Sequence, residues 1–382
     1  MILILFDILP KLSLKSCSIF AIMETIIIAR KEGAEMAIKD YLIMSGNNTV
    51  AKWENGILTV LNESLLPLYL RRISNADLWL ETRAIDSHRT NSRLLKKALR
   101  LKEKDDLSTV MHINGATITD NYWIKPFDSE LCYDDVKFSD DYFSKLALKG
   151  TYGNFNEAAR RGDTKTPELT NVGSFEKCWK LKDGRWWLIK TATHAEQFSE
   201  LFTCKFGEAL GINMAVYERG SNCTKSLDFT DSASVNFEPA SAFMGDNEDY
   251  EDVAEKLEEI CPLAIPDYVR MIFLDTILVN PDRHTVNFGL LRDVKTGELL
   301  GLAPIFDHNM SLISMGYPNL PKKSDVLIGC FNALLSGRPE YKKFLPKVNE
   351  EIIRSTLDGL HMRVRKKYIT ELIMSRYKMI DI

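Results

Sequence analysis

The chain has 382 residues, 45% of them apolar and 27% charged, enough to bury two cores without disulfide or metal staples. Its 49 Lys and Arg against 53 Asp and Glu leave a net charge of −4, which argues against a protein that mainly coats nucleic acid, though not against a local basic patch. Seven scattered cysteines with no C-x-x-C pair support neither a disulfide framework nor a zinc site, and they read as reduced thiols of a cytoplasmic protein.

The first residues carry an apolar run, Met1 to Phe6, broken at once by Asp7, Pro10 and Lys11. The uncharged stretch Ser16 to Met23 is far shorter than the roughly 20 residues that span a bilayer. No basic run precedes the apolar one, so a signal peptide is not expected, and no membrane partner is. Met36 is the expected natural start, which makes residues 1–35 a leader or upstream extension. From Tyr41, "YLIMSGNNTVAKWENGILTVLN" predicts short strands broken at Gly46-Asn47-Asn48 and at Asn55-Gly56. "NSRLLKKALRLKEKDD" then places Leu94, Leu95, Ala98, Leu99 and Leu101 at helical spacing, with Asn91 or Ser92 as cap. Its basic residues read as a solvated face, so no strong nucleic-acid signal is present.

Glycines at 150, 153 and 162 and a run of mixed charge predict a domain boundary near 145–165. Beyond it, "TNVGSFEKCWKLKDGRWWLIKTA" predicts a hairpin turning at Asp183-Gly184. Gly173-Ser174 opens its first strand, where a chain passes close to a ligand, and Lys190 ends its second. A lysine in so apolar a run needs a partner or a ligand anion. The helix that follows, "AEQFSELFTCKFGEALGI", offers Glu200 near its apolar face as that partner, with Glu196 second. More strands run to about residue 243, and an acidic loop spans Asp246 to Asp252.

"PDYVRMIFLDTILV" is apolar on nearly every side, as a buried helix is, and Asn280-Pro281 ends it. The loop beyond presents Asp282, Arg283, His284 and Asn287. "FGLLRDVKTGELLGLAPIFD" then predicts a hairpin whose return brings Asp307 beside Asn287. Two carboxylates and an amide converging on one point suit phosphoryl transfer: one Asp beside the acceptor hydroxyl, an Asn and an Asp on Mg²⁺. The order of strand Lys, helix Glu, Asp with Asn five residues on, then strand-end Asp is that of the kinase signature set.

Over residues 150–345 the chain resembles the HipA-like serine/threonine kinases, through "WWLIKTA", "SELFTCKFGEALGI" and "NPDRHTVNFGLL…PIFDHNMSL". The catalytic loop is also similar to that of phosphatidylinositol kinases. The resemblance implies an α+β, bilobal protein-kinase-like fold, with a strand-rich lobe at 146–243 and a larger helical lobe at 244–382. A small mixed domain of unassigned role, 36–145, precedes it. It implies ATP and Mg²⁺ as cofactors, Asp282 as catalytic base or acceptor-orienting carboxylate, and Asn287 and Asp307 as Mg²⁺ ligands. Lys190, paired to Glu200, would hold ATP phosphates under a covering loop at 171–177 that contains Gly173 and Ser174. Ser174 matches a serine that such kinases autophosphorylate. The implied partners are a protein with a Ser or Thr acceptor and an antitoxin-like protein. The sequence departs from the pattern in keeping one loop glycine, in Asp307-His308-Asn309, and in placing Arg283-His284 after the catalytic Asp. His284 thus either shares proton handling or makes a structural hydrogen bond. Alternatives are a nucleotide-binding regulatory pseudokinase, a phosphoinositide-type kinase, and a metal-dependent phosphohydrolase using Asp282, His284, Asp307 and His308. The segment "VNFEPAS", 235–241, is the expected adenine-contacting hinge.

Overall fold

The computed structural model describes residues 40–85, 89, 91–101, 105–161, 165–170, 176–321 and 323–382. The leader and the 171–175 part of the expected phosphate loop, with Gly173 and Ser174, lie outside the described residues.

Alternation of apolar and polar residues produces three antiparallel sheets. In the first, β1 (Tyr41–Ser45), β2 (Asn48–Glu54) and β3 (Ile57–Val60) form a meander. The Asn55-Gly56 turn has both residues at positive φ, 52° and 75°, the geometry of a tight hairpin turn. β4 (Tyr122–Lys125) pairs with the other edge of β1, giving the order β3-β2-β1-β4. Ile43, Val50 and Trp53 from this sheet pack against Leu70, Trp79 and Leu80. Leu70 belongs to α1 (Leu68–Arg72), in a stretch whose apolar spacing is too irregular to announce a helix.

The expected basic helix is α2 (Ser92–Ala98), with Asn91 at its N-cap, although no side-chain bond caps it. Its basic face is only partly solvated. Lys96 is buried and lies 3.6 Å from Asp106, whereas Arg93 and Lys97 face solvent.

The second sheet has the order β5-β6-β8-β7, from β5 (Lys177–Lys182), β6 (Arg185–Thr191), β7 (Tyr217–Gly220) and β8 (Cys223–Leu227). Asp183 and Gly184 make the β5–β6 turn at φ 52° and 76°, as the dipeptide predicts. α3 (His194–Ala209) follows β6 and stacks Phe198, Phe202 and Phe206 along its buried face, with centroids 5.5 and 5.4 Å apart.

The third sheet, β11-β10-β9, joins β9 (Val235–Pro239) to the hairpin of β10 (Gly289–Asp293) and β11 (Leu299–Leu302). Gly289 is required there, since a Cβ would sit 2.2 Å from the Glu238 carbonyl oxygen. Sequence-distant pieces are tied to this sheet. Glu238 accepts from Tyr122 Oη at 2.8 Å and from Arg292 Nη1 at 2.9 Å, and Arg292 Nη1 also donates to the Leu66 carbonyl at 2.7 Å. These bonds hold the 41–125 sheet and α1 against β9 and β10.

The largest core surrounds α6 (Ile265–Ile277), reached through the short α4 (Ser241–Met244) and the acidic α5 (Tyr250–Ile260). α6 buries Tyr268, Val269, Met271, Ile272, Phe273, Leu274 and Ile277, as its all-round apolarity predicts. α7 (Val326–Gly337), α8 (Glu350–Gly359) and α9 (Lys366–Tyr377) contribute Phe331, Leu334, Leu357, Ile369 and Ile373 to the same core. Among the described residues no helix is long and apolar enough to cross a membrane.

Candidate active site

α6 ends in a backbone conformation that its sequence alone does not favour. Val279 has φ 55°, a left-handed value that a β-branched side chain opposes. Asn280-Pro281 follows, and the turn releases the Asp282–Asn287 loop from the buried end of the helix. Strain at such a point is held only where the surroundings over-determine it.

Here the surroundings are a buried ion pair. Asp275, fully buried on α6, receives Arg283 Nε at 2.7 Å and Nη2 at 3.0 Å. Asn280 Nδ2 donates to the same carboxylate at 2.7 Å. Arg283 Nη1 meanwhile donates to the carbonyls of Asn287 and Phe306, both at 2.7 Å. One guanidinium therefore fixes the loop to its helix and to the end of the returning hairpin, tying the Asn287 backbone to that of Phe306, the residue before Asp307. Burial would lift the Asp275 carboxyl, but Arg283 and His308 outweigh it and bring it to about 2. His308 is buried with Nε2 2.9 Å from Arg283 Nη2 and 3.4 Å from Asp275 Oδ1. Burial, joined by the adjacent guanidinium, holds its pKa below the usual imidazole value.

Asp307 also sits at positive φ, 62°, with its backbone N–H donating to Tyr217 Oη at 3.1 Å. Its Oδ1 receives Lys190 Nζ at 2.5 Å. Burial opposes ionisation of Asp307, yet Lys190 draws it down to about 2, with Lys177 and Arg283 adding to the effect. Lys190, itself buried, is held above the ordinary lysine value by Asp307 and Glu200 despite desolvation.

The expected Lys190–Glu200 pair is present at 3.8 Å, longer than the contact to Asp307. Thr224 Oγ1 donates to Glu200 Oε2 at 2.5 Å, whereas Glu200 Oε1 is buried without a hydrogen-bond partner. Burial raises the Glu200 pKa, against the pull of Lys190. Glu196, the second choice, is engaged elsewhere. Its Oε2 accepts from Thr193 N at 2.6 Å, closing a capping box at the start of α3 that the T-x-x-E spacing encodes.

On the loop itself, Asn287 Nδ2 donates to the Asp282 carbonyl and to His284 Nε2, each at 2.9 Å. Those bonds leave Asn287 Oδ1 with no protein partner among the described residues. The half-buried Asp282 carboxylate likewise makes no hydrogen bond among them, and its charge acts on Lys190. His284 orients the Asn287 amide in this geometry.

Two features escape sequence reasoning. Lys177 lies directly opposite Lys190 in the β5–β6 register, on the same face of the sheet. Like charges directly opposite are unfavourable, and the Asp307 carboxylate answers both of these lysines. Periodicity, with the Asp183-Gly184 turn fixing the register, could have shown it. The second is the use of 235–241. β9 pairs with β10 along one edge, while Phe237 N donates to the Thr119 carbonyl at 2.9 Å. The connection 228–234, between β8 and β9, is closed by the Asp228 carboxylate, which accepts from Thr230 N, Thr230 Oγ1 and Ser232 N. Phe229 of this segment packs with Phe237 and Phe306, centroids 5.4 to 5.8 Å apart, and all three rings stay partly exposed beside Asp307.

No protein-family model matches the chain, and no curated protein does. Among solved structures it is similar to the Helicobacter pylori proinflammatory kinase CtkA at 18% identity, over 53% of this chain and 90% of that one, with a TM-score of 0.42. It is also similar to HipA from Shewanella oneidensis MR-1, solved as a toxin–antitoxin complex with HipB and operator DNA. There the identity is 10%, over 88% of this chain and 97% of that one, with a TM-score of 0.47.

Proposed function

We propose that the chain is an ATP- and Mg²⁺-dependent phosphotransferase with a bilobal, kinase-like body, acting on Ser or Thr of a cytoplasmic protein. The observation that carries this reading is the convergence of Lys190, Asp307, Asn287 and Asp282 on one point, from a strand end, a hairpin end and a loop anchored by Asp275–Arg283.

The residues fit a magnesium nucleotide. Asn287 Oδ1 and the Asp307 carboxylate are hard oxygen donors on adjoining backbone, the donor set Mg²⁺ favours. Mg²⁺, when bound, would neutralise the charge of the transferred phosphoryl group. Glu200 Oε1, buried and unbonded 3.8 Å from Lys190, offers the ammonium a second carboxylate when Asp307 takes a cation. Lys190 and Lys177 hold the phosphates, and the Phe229–Phe237–Phe306 cluster gives the base an apolar surface. Asp282 orients the acceptor hydroxyl and takes its proton. His284 keeps Asn287 turned so that Oδ1 stays available. An antitoxin-like partner and the Ser174 self-modification belong to the same reading through the family resemblance.

Incubation with Mg²⁺ and ATP, followed by phosphosite mapping, is expected to put label on Ser174. ATP binding with no label on the chain or on a broad protein panel would instead favour a regulatory nucleotide-binding module. Label on phosphoinositides alone would move the acceptor to lipid. Lys190→Met should weaken ATP binding at least tenfold, and Lys177→Met should do so by about tenfold, since a charged hydrogen bond is worth roughly 1.5–3 kcal/mol. Titration of a fluorescent ATP analogue measures both. Undiminished affinity in Lys177→Met would remove that residue from the phosphate site.

A further inference from the structure

A second groove, of about 420 Å³, lies away from the Lys190–Asp307 site. Its walls come from three sequence-distant places: Leu68, Arg71 and Arg72 on α1, Phe243 on α4 with Lys256 and Ile260 on α5, and Leu299 on β11. The volume lies within the ~300–1,000 Å³ of small-molecule sites. Its floor is apolar and its rim holds three cations.

The charges of the rim are unequally answered. Lys256 pairs with Glu259 at 2.7 Å, and Arg71 has Glu63 at 3.6 Å together with the Glu63 and Ser64 carbonyls. Arg72 has no carboxylate within ion-pair distance among the described residues. Its Nε and Nη2 donate to the carbonyls of Ala242 and Ser241, both at 3.0 Å. Positive charge in excess over an apolar floor is complementary to one kind of occupant, an anionic head on an aliphatic chain.

From this we infer that the groove binds a single-chain anionic amphiphile, with its phosphate or carboxylate head on Arg71, Arg72 and Lys256 and its chain along Leu68, Phe243, Ile260 and Leu299. The inference does not depend on the phosphotransferase reading. Its position is nevertheless informative. Ser241, whose carbonyl Arg72 holds, donates its backbone N–H to the Thr285 carbonyl at 2.9 Å, and Thr285 Oγ1 donates to the Gly245 carbonyl at 2.7 Å. An anion on Arg72 would compete with α4 carbonyls one hydrogen-bonded step from the Asp282–Asn287 loop.

Calorimetric titration of the full chain with monomeric dodecyl phosphate tests it. One saturable site is expected, weakened at least tenfold by Lys256→Glu, by Arg71→Glu and by shortening the chain to octyl phosphate, given ~0.8 kcal/mol per buried methylene. Leu299→Gln should also weaken it, with thermal melts confirming that each variant is folded. Uncharged dodecyl maltoside should not occupy the site. Absence of saturable binding, affinity unchanged in folded Lys256→Glu and Arg71→Glu, or inorganic phosphate binding as tightly as the amphiphile would each overturn the inference. So would co-sedimentation with phosphatidic acid vesicles in the absence of binding to the soluble amphiphile, which would indicate a membrane surface instead.

Discussion

Asp282→Asn is expected to lower phosphate transfer by about 10²–10⁴-fold, the range of a lost general base, while ATP affinity stays within about twofold. The structure isolates this side chain's role unusually well. The residue's backbone is used: its carbonyl accepts from Asn287 Nδ2 at 2.9 Å and its N–H donates to Asn280 Oδ1 at 3.3 Å. Its carboxylate makes no hydrogen bond among the described residues, so an isosteric amide removes charge and basicity without leaving a protein donor unpaired. Asp307→Asn is the instructive contrast. That change would strip Lys190 of its 2.5 Å partner and remove the carboxylate proposed to hold Mg²⁺, so ATP affinity and transfer should fall together. Transfer of γ-phosphate from labelled ATP, measured beside an ATP-binding titration, separates the two variants. Wild-type incorporation in Asp282→Asn would refute the assignment of Asp282.

The parts of this site that sequence could announce are those encoded by local rules. Asp183-Gly184 fixes the β5–β6 turn, hence the strand position of Lys190 and, by register, Lys177 opposite it. The all-round apolar α6 announces a rigid base, and the β10–β11 pattern announces a hairpin returning to Asp307. What stayed hidden depends on pairings set by tertiary packing. Whether Lys190 leans on Glu200 or on Asp307 is a matter of about an ångström between two carboxylates from different elements. Glu238, Arg292 and Tyr122 are 54 to 170 positions apart in sequence, and nothing in their local surroundings predicts that they meet. The same holds for 235–241, whose β-branched and aromatic content is right for a strand but says nothing of which strand will pair with it. Asp275 was concealed in another way. Inside a run such as "MIFLDTIL" a single acid reads as an exception to an apolar helix, when it is the residue around which the loop is organised.

That role makes Asp275 the site of the largest expected stability loss. Asp275→Asn leaves Arg283 buried without its carboxylate, and breaking a buried pair from one side costs about 3–5 kcal/mol. A fall in melting temperature of about 5 °C should follow. Transfer should fall as well, because Arg283 holds the carbonyls of Asn287 and Phe306 and so sets the distance between the two oxygen donors. Removing both charges, in Asp275→Leu with Arg283→Met, should recover part of the stability and none of the activity, since no donor then spans the loop and the hairpin. The pair also carries a pH signature. With its folded pKa near 2, below an unfolded value of about 3.9, Asp275 binds its proton more readily in the unfolded chain. Its contribution is therefore complete above about pH 4 and is lost as pH falls toward 2, where wild type and Asp275→Asn should converge in stability. Thermal melts of the two proteins across that window decide the matter. An Asp275→Asn protein as stable as wild type at neutral pH would show that the loop is held in place without its buried ion pair.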